Sequence, residues 1–268
     1  MFKFIRSLMP DRSIADDLNA LEPEASLPQV LDLTSAKRVL VFAPHPDDEC
    51  IGCAGTLTLL SQNPGIEICV VLVTNGDGGQ HSPDPQMSSV RIEEMRQALK
   101  VLGIHQLQTL GFEDGRFLSD KALSNALDSV IQSFQPNWVF APSPMDYHKD
   151  HLIVSHAVTQ LCQRSASVEQ LIYLESWTPL PATHIVDITG VMAFKMKALK
   201  EHQTALKYGD YARAVEGLNA YRGLYLGFDR FAEAFVVQNL ERKDLPQLNL
   251  KRLSALGLDL KRVLGRSR

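Results

Sequence analysis

From Lys37 onward, short runs of apolar and β-branched residues alternate with longer stretches whose apolar positions recur every three to four residues. The runs at 38–43, 66–74, 106–110, 137–141 and 168–175 predict strands, and the stretches at about 53–62, 88–102, 119–134 and 149–164 predict helices. Alternation at this spacing specifies an α/β fold: a Rossmann-like, mostly parallel, doubly wound sheet flanked by helices. After 176 the rhythm loosens. A strand at 184–188, helices at 190–207 and 211–223, and a strand at 231–237 are expected there.

No internal repeat or low-complexity linker divides this pattern, so 37–240 reads as a single domain. Residues 1–36, with Pro10, Pro23, Pro28 and the acidic Asp16, Asp17, Glu22 and Glu24, read as an N-terminal extension packed over it. Residues 241–268 form a basic tail with recurring leucines beside Lys251/Arg252 and Lys261/Arg262. A solvated amphipathic helix or frayed end is the favoured reading there, ahead of a contact with a partner or a membrane surface.

Composition narrows the function without naming it. Of the 268 residues, 45 % are hydrophobic and 22 % charged, and the formal net charge is −4. No basic, aromatic-interleaved patch points to nucleic acid. No apolar run approaches the ~18 residues of a membrane span, and the N-terminus has no signal-peptide cleavage pattern. Four cysteines in a chain of this size are no disulfide framework, so a reducing cytoplasm is expected. The oligomeric state is not legible.

Two polar clusters stand out against the apolar strands. His45-Pro46-Asp47-Asp48-Glu49 follows the strand at 38–43, and Asp146-Tyr147-His148-Lys149-Asp150-His151 follows the strand at 137–141. Taken singly, each would pass for surface or helix-capping residues. In a parallel sheet both fall at the carboxyl edge, where open α/β sheets bind their ligands. Burying so many ionisable groups without partners is costly, so packing does not account for them. Imidazoles and carboxylates gathered in one crevice suit a divalent ion such as zinc, with spare groups left for acid–base work. Iron(II) and cobalt(II) suit the same donors.

Pro44-His45-Pro46-Asp47-Asp48-Glu49, followed by Gly52 and Gly55-Thr56-Leu57, resembles the signature of the PIG-L/LmbE-type zinc deacetylases. His148-Lys149-Asp150-His151 is similar to that family's second motif, His-x-Asp-His. Arg91, Glu94, Leu102-Gly103 and Leu110-Gly111 through Asp114-Gly115 also follow its pattern. The likeness is strong over about 38–160. It continues weakly to 238 through Lys197, His202-Gln203, Tyr221-Arg222-Gly223 and Ala232-Glu233-Ala234-Phe235. Ala54 stands where a glycine is common and Lys149 where a proline is common.

The resemblance implies His45, Asp48 and His151 as metal ligands and Asp47 as the general base that deprotonates the attacking water. It implies a protonated His148 stabilising the oxyanion, Asp150 holding that imidazole and raising its pKa, and Arg91 binding the sugar. The implied reaction is hydrolysis of the acetamide of an N-acetylated, N-acetylglucosamine-type sugar conjugate to acetate and a free amine. An amidase on a related conjugate, a phosphoester hydrolase, and a non-catalytic sugar- or nucleotide-binding protein on the same fold are the competing readings. A phosphatase would show a two-metal carboxylate set or a denser basic pocket.

Other features have plainer readings. Glu49 is at least as well explained as a carboxylate near a helix N-terminus. Cys50-Ile51-Gly52-Cys53 is formally a redox spacing, but its histidine–carboxylate neighbours explain the turn better. Thr74 to Gly79 reads as a pocket-rim loop, since the G-x-G-x-x-G spacing is missing. His81 is assigned to a loop that could cover the substrate. His105, His156 and His184 read as ordinary histidines, and the sequence does not fix His202 or Tyr147 to the pocket.

Overall fold

A computed structural model describes residues 27–78 and 85–240. The chain runs β1 (Gln29–Val30), β2 (Arg38–Ala43), α1 (Asp48–Ser61), β3 (Glu67–Thr74), α2 (Pro85–Val101), β4 (Gln106–Phe112), α3 (Lys121–Phe134) and β5 (Trp138–Pro142). It continues with α4 (Lys149–Arg164), β6 (Gln170–Leu174), β7 (His184–Asp187), a 3₁₀ turn (Thr189–Val191), α5 (Met192–Glu201), α6 (Gln203–Leu206), α7 (Tyr211–Gly223) and β8 (Ala232–Asn239). His81, the outer part of the N-terminal extension and the basic tail lie outside the described residues.

The strands form one eight-stranded sheet in the order β1-β7-β8-β6-β5-β2-β3-β4. Pairing is parallel from β6 through β5, β2 and β3 to β4, with Val39 opposite both Ile68 and Trp138. β8 runs antiparallel between β6 and β7. The mostly parallel, helix-flanked sheet expected from the sequence is what the structure shows. β1, inside the stretch read as an extension, adds a short parallel edge to β7.

Period-two alternation sorts each strand onto two cores. Val39, Val41 and Ala43 face α1, α2 and α5, while Leu40 and Phe42 face α3 and α4. After β2 the chain goes to β3 and β4 on one side, and later to β5 and β6 on the other. The strand order therefore reverses between β2 and β5, and the loops leaving their carboxyl ends diverge over a crevice. That is where a ligand is expected in an open α/β sheet.

The α1 boundary departs from the sequence expectation. The helix starts at Asp48 rather than near Cys53, with Asp47 as its cap residue. Every α1 residue except Leu59 and Ser61 is buried, so no apolar stripe marks its beginning. Among the described residues, no helix is long and apolar enough to cross a membrane.

Candidate active site

The β2–α1 turn and the start of α4 bring the two polar clusters together, although His45 and His151 are 106 positions apart. His45 Nδ1 and His151 Nε2 face each other at 3.3 Å. Asp48 Oδ2 lies 3.5 Å from the first and 3.2 Å from the second. A tetrahedral zinc with nitrogen ligands at about 2.0–2.1 Å has ligand–ligand edges of about 3.3–3.4 Å, so the triangle has the size such an ion needs. Asp48 Oδ1 is buried and has no hydrogen-bond partner among the described residues. The donor set and this orphaned oxygen both fit a bound cation. Two overlapping sets, His45/His148/His151 and His45/Asp114/Asp150, also place donor atoms within 4.8 Å of one another.

The far nitrogen of each imidazole is held by a carboxylate. His45 Nε2 lies 3.1 Å from Asp150 Oδ2 and 3.2 Å from Asp114 Oδ1, and His151 Nδ1 lies 3.1 Å from Asp146 Oδ2. Carboxylates in this position orient metal-binding histidines and raise their basicity. Burial opposes the charge on His45, but Asp114, Asp150 and Asp48 outweigh it and hold its pKa well above the usual value. At His151 burial is likewise overcome, by Asp48 and Asp146, and the pKa rises to about 9. Asp48 is held far below the usual carboxylate range: burial alone would raise it, but His151 and His45 reverse the sign.

Asp47 stands beside this triangle in an unusual conformation, φ 128° and ψ −24°. Such backbone is costly for a residue with a Cβ and is kept only where the surroundings enforce it. Several contacts do so. The Asp47 N–H donates to Glu49 Oε2 at 3.2 Å, and the Asp47 carbonyl accepts from the N–H groups of Cys50 and Ile51. Arg91 donates to the carbonyls of Pro46 (3.0 Å) and Gly76 (3.2 Å), tying the turn to the loop after β3. At Gly76 (φ 62°) a Cβ would come within 2.8 Å of the Pro46 ring, so only glycine allows this approach. Burial and the neighbouring Asp48 push the Asp47 carboxyl up to about 7, with Arg91, His202 and His45 pulling the other way.

Asp47, His45, Arg91, Asp114, His148 and Asp150 line the floor of an open cleft of about 610 Å³. Cofactor and substrate sites commonly fall between ~300 and 1,000 Å³. Gly78, from the Gly-rich loop after β3, reaches its rim as the sequence reading expected. His105, His156 and His184 do not line it.

Three placements differ from expectation. The Asp150 carboxylate does not hold His148: its Oδ2 accepts from His45 Nε2 and from the Gly115 N–H (2.8 Å), because the first turn of α4 points it back under the β2 loop. The contact between Asp150 and His148 is instead a capping one, the Asp150 N–H donating to His148 Nδ1 at 3.3 Å. His148 is half-buried, and its pKa is lowered by burial and by the charges of His45 and His151. A neutral His148 whose Nδ1 accepts that bond carries its hydrogen on Nε2. Arg91 faces the cleft, but its guanidinium is committed to the two backbone carbonyls. It lies 3.7 Å from Asp47 and 3.9 Å from Asp114.

The sequence reading gave no role at the site to Asp114, Asp146 or His202, and favoured a helix-terminus reading for Glu49. Asp114 follows β4, whose carboxyl end shares the same sheet edge; that position and its match to the family pattern were the available signals. Glu49 and His202 are fully buried and joined at 2.9 Å behind Asp47, so His202 supports the floor from below. Tyr147 is exposed at the cleft. Cys50 and Cys53 are buried in α1, and burial pushes both thiols well up, against a redox role.

The profile of the GlcNAc-PI de-N-acetylase (PIG-L) family matches residues 40–162, a span that contains both polar clusters. The chain is also 32 % identical to the uncharacterized deacetylase YaiS of Escherichia coli over 182 residues, covering 63 % of this chain and 91 % of that protein. It belongs to the PIG-L family. Diacetylchitobiose deacetylase of Thermococcus kodakarensis is 26 % identical to this PIG-L chain, over 73 % of it and 87 % of the relative. The solved N,N'-diacetylchitobiose deacetylase of Pyrococcus horikoshii shares the fold, with a TM-score of 0.68 at 23 % identity over 87 % and 94 % of the two chains.

Proposed function

We propose that this PIG-L protein is a metal-dependent N-deacetylase that hydrolyses the acetamide of an N-acetylglucosamine-type sugar conjugate, releasing acetate and a free amine. The observation that carries the proposal is the ion-sized triangle of His45, Asp48 and His151, which meets the cleft through His45, with Asp47 beside it on the cleft lining. These three residues would hold the cation, zinc being the ion whose preferred donors and geometry they match. A divalent ion there polarises the acetamide carbonyl and makes water acidic enough to act near neutral pH.

The remaining steps belong to the chain's own groups. Asp47 accepts the proton of the attacking water, and burial raises its carboxyl towards the range suited to taking a proton and returning it. The Glu49 carboxylate and Arg91 fix the backbone on which Asp47 stands. His148 offers its Nε2–H to the oxygen that gains charge as the carbonyl is attacked. A neutral ring can donate this bond, so the role does not require the protonated His148 that the resemblance implied. Asp150 and Asp114 hold His45, and Asp146 holds His151. The four cysteines, buried as free thiols, suit the reducing cytoplasm expected from the sequence.

The test is acetate and free-amine release from N-acetylglucosamine and a panel of its glycosides, with metal-loaded and chelator-stripped protein side by side. Release that requires the metal is the expected result. Cleavage of a different amide in the panel, with the acetamide left intact, would replace deacetylase by amidase. Sugar binding with no bond cleaved would make the protein a binding module.

A further inference from the structure

The cleft is lined by polar groups around His45 and Asp47, and also by four aromatic side chains. Tyr147, Trp177, Tyr208 and Tyr211 line the same opening as His45 and Asp47. Tyr147 and Tyr208 are 70 % and 73 % exposed, an unfavourable state for large rings that contribute nothing to either core. Trp177, Tyr208 and Tyr211 lie beyond the span matched by the family profile.

Two of these rings, Trp177 and Tyr211, are held in place. Trp177 and Tyr211 pack edge to face with centroids 5.3 Å apart. Trp177 sits in the loop after β6, and the buried Glu175 ties that loop down. Glu175 Oε1 accepts the Leu180 N–H at 2.7 Å, and both carboxylate oxygens accept from Arg222, whose Nη2 also donates to the Leu180 carbonyl. Arg222 is near the end of α7 and Tyr211 is at its start, so one helix carries one ring and clamps the loop bearing the other. Rings held this way lose little freedom when a ligand arrives.

We infer that Tyr147, Trp177, Tyr208 and Tyr211 form a saccharide subsite, stacking a second, neutral pyranose ring linked to the N-acetylated sugar on the floor. The inference rests on the deacetylase proposal and adds to it the class of the attached group. One face of a pyranose presents C–H bonds of slight positive charge, which complement the negative face of an aromatic ring, while its hydroxyls remain in water or meet tyrosine hydroxyls. An acyl chain would call for an enclosed aliphatic lining, and this wall is open and built of tyrosine and tryptophan.

The experiment uses the full-length, metal-loaded protein with three probes: N-acetylglucosamine, N,N'-diacetylchitobiose and an octyl glycoside of N-acetylglucosamine. Turnover is measured alongside calorimetric binding. The disaccharide is expected to show the higher kcat/KM, mainly through a lower KM. Trp177→Ala and Tyr208→Ala should each reduce that advantage roughly fivefold to tenfold, the scale of one aromatic stacking contact, with Trp177→Phe intermediate and N-acetylglucosamine unaffected. Equal losses on the mono- and disaccharide would overturn the subsite, as would an octyl glycoside that gains as much as the disaccharide and loses it in Trp177→Ala. If no probe is hydrolysed, the deacetylase proposal fails on its own. Tighter binding of the disaccharide than the monosaccharide, lost in the variants, would still support the wall; equal binding would overturn it.

Discussion

Lys195 and Glu233 are buried as deeply as Asp48 and His151, yet the two groups of charges are built in opposite ways. The Lys195 ammonium donates to Glu233 Oε1 at 2.7 Å and to the Ile51 carbonyl at 2.8 Å. The remaining capacity of Glu233 is taken by the Gly55 N–H, the Thr56 N–H and the Thr56 hydroxyl at 2.6–2.8 Å. This network is complete and joins α1, α5 and β8. At the sheet edge, carboxylates from Asp48, Asp114, Asp146 and Asp150 converge on two imidazoles, and one oxygen each of Asp48 and Asp150 is left without a partner. A satisfied buried network specifies structure, whereas one with spare acceptors has room for a cation.

The contrast can be broken from either side. The largest effect is expected at the incomplete network. His151→Ala should lose the metal and all measurable turnover, as chelation of the wild type does, with metal content read by mass spectrometry beside amine release. Full occupancy in that variant would transfer the ligand role to His148. Asp47→Asn should retain the metal and lose turnover by about 10²–10⁴-fold, the range for a missing general base; wild-type rates would remove Asp47 from that role.

At the complete network the consequence should be stability instead. Glu233→Gln leaves the Lys195 charge buried and unmatched, and about 3–5 kcal/mol of folding free energy should disappear in denaturant titrations. Activity per folded molecule should be preserved, and a loss of kcat in the folded fraction would show that the two networks are not separate. The smallest effect is expected between them. Glu49→Gln keeps the shape of the support under Asp47 and removes its charge, so kcat should fall by roughly tenfold, about 1.4 kcal/mol, with KM and metal content unchanged. A rise in KM alone would place Glu49 in substrate binding.

The same contrast explains what the sequence disclosed. The strands at β2, β3 and β5 are legible because their apolar runs are nearly unbroken, and the polar residues that follow stand out against them. The Rossmann-like strand–helix alternation is enough to place both clusters on one edge of the sheet. The partners of those residues are less legible. Whether the Asp150 carboxylate faces His148 or His45 depends on how α4 leaves its first turn, and a neighbour in sequence is a poor guide to a neighbour in space. Asp114 and His202 follow the family pattern in sequence, but that pattern gives neither of them a partner at the site. The start of α1 was missed because a helix enclosed on nearly all sides shows no periodicity.

The position of the site at the reversal of strand order also bears on how the molecule is made. His45 emerges early in synthesis, while His151 and Asp150 follow 106 and 105 residues later, after α1, β3, α2, β4 and α3. The donors converge only when β5 docks against the free side of β2, so a cation cannot nucleate this fold as it does a short finger motif. It can reward only the finished sheet, by RT ln(1 + [M]/Kd). Metal supply is thus tied to the lifetime of the folded chain and not to the speed with which the chain reaches that state.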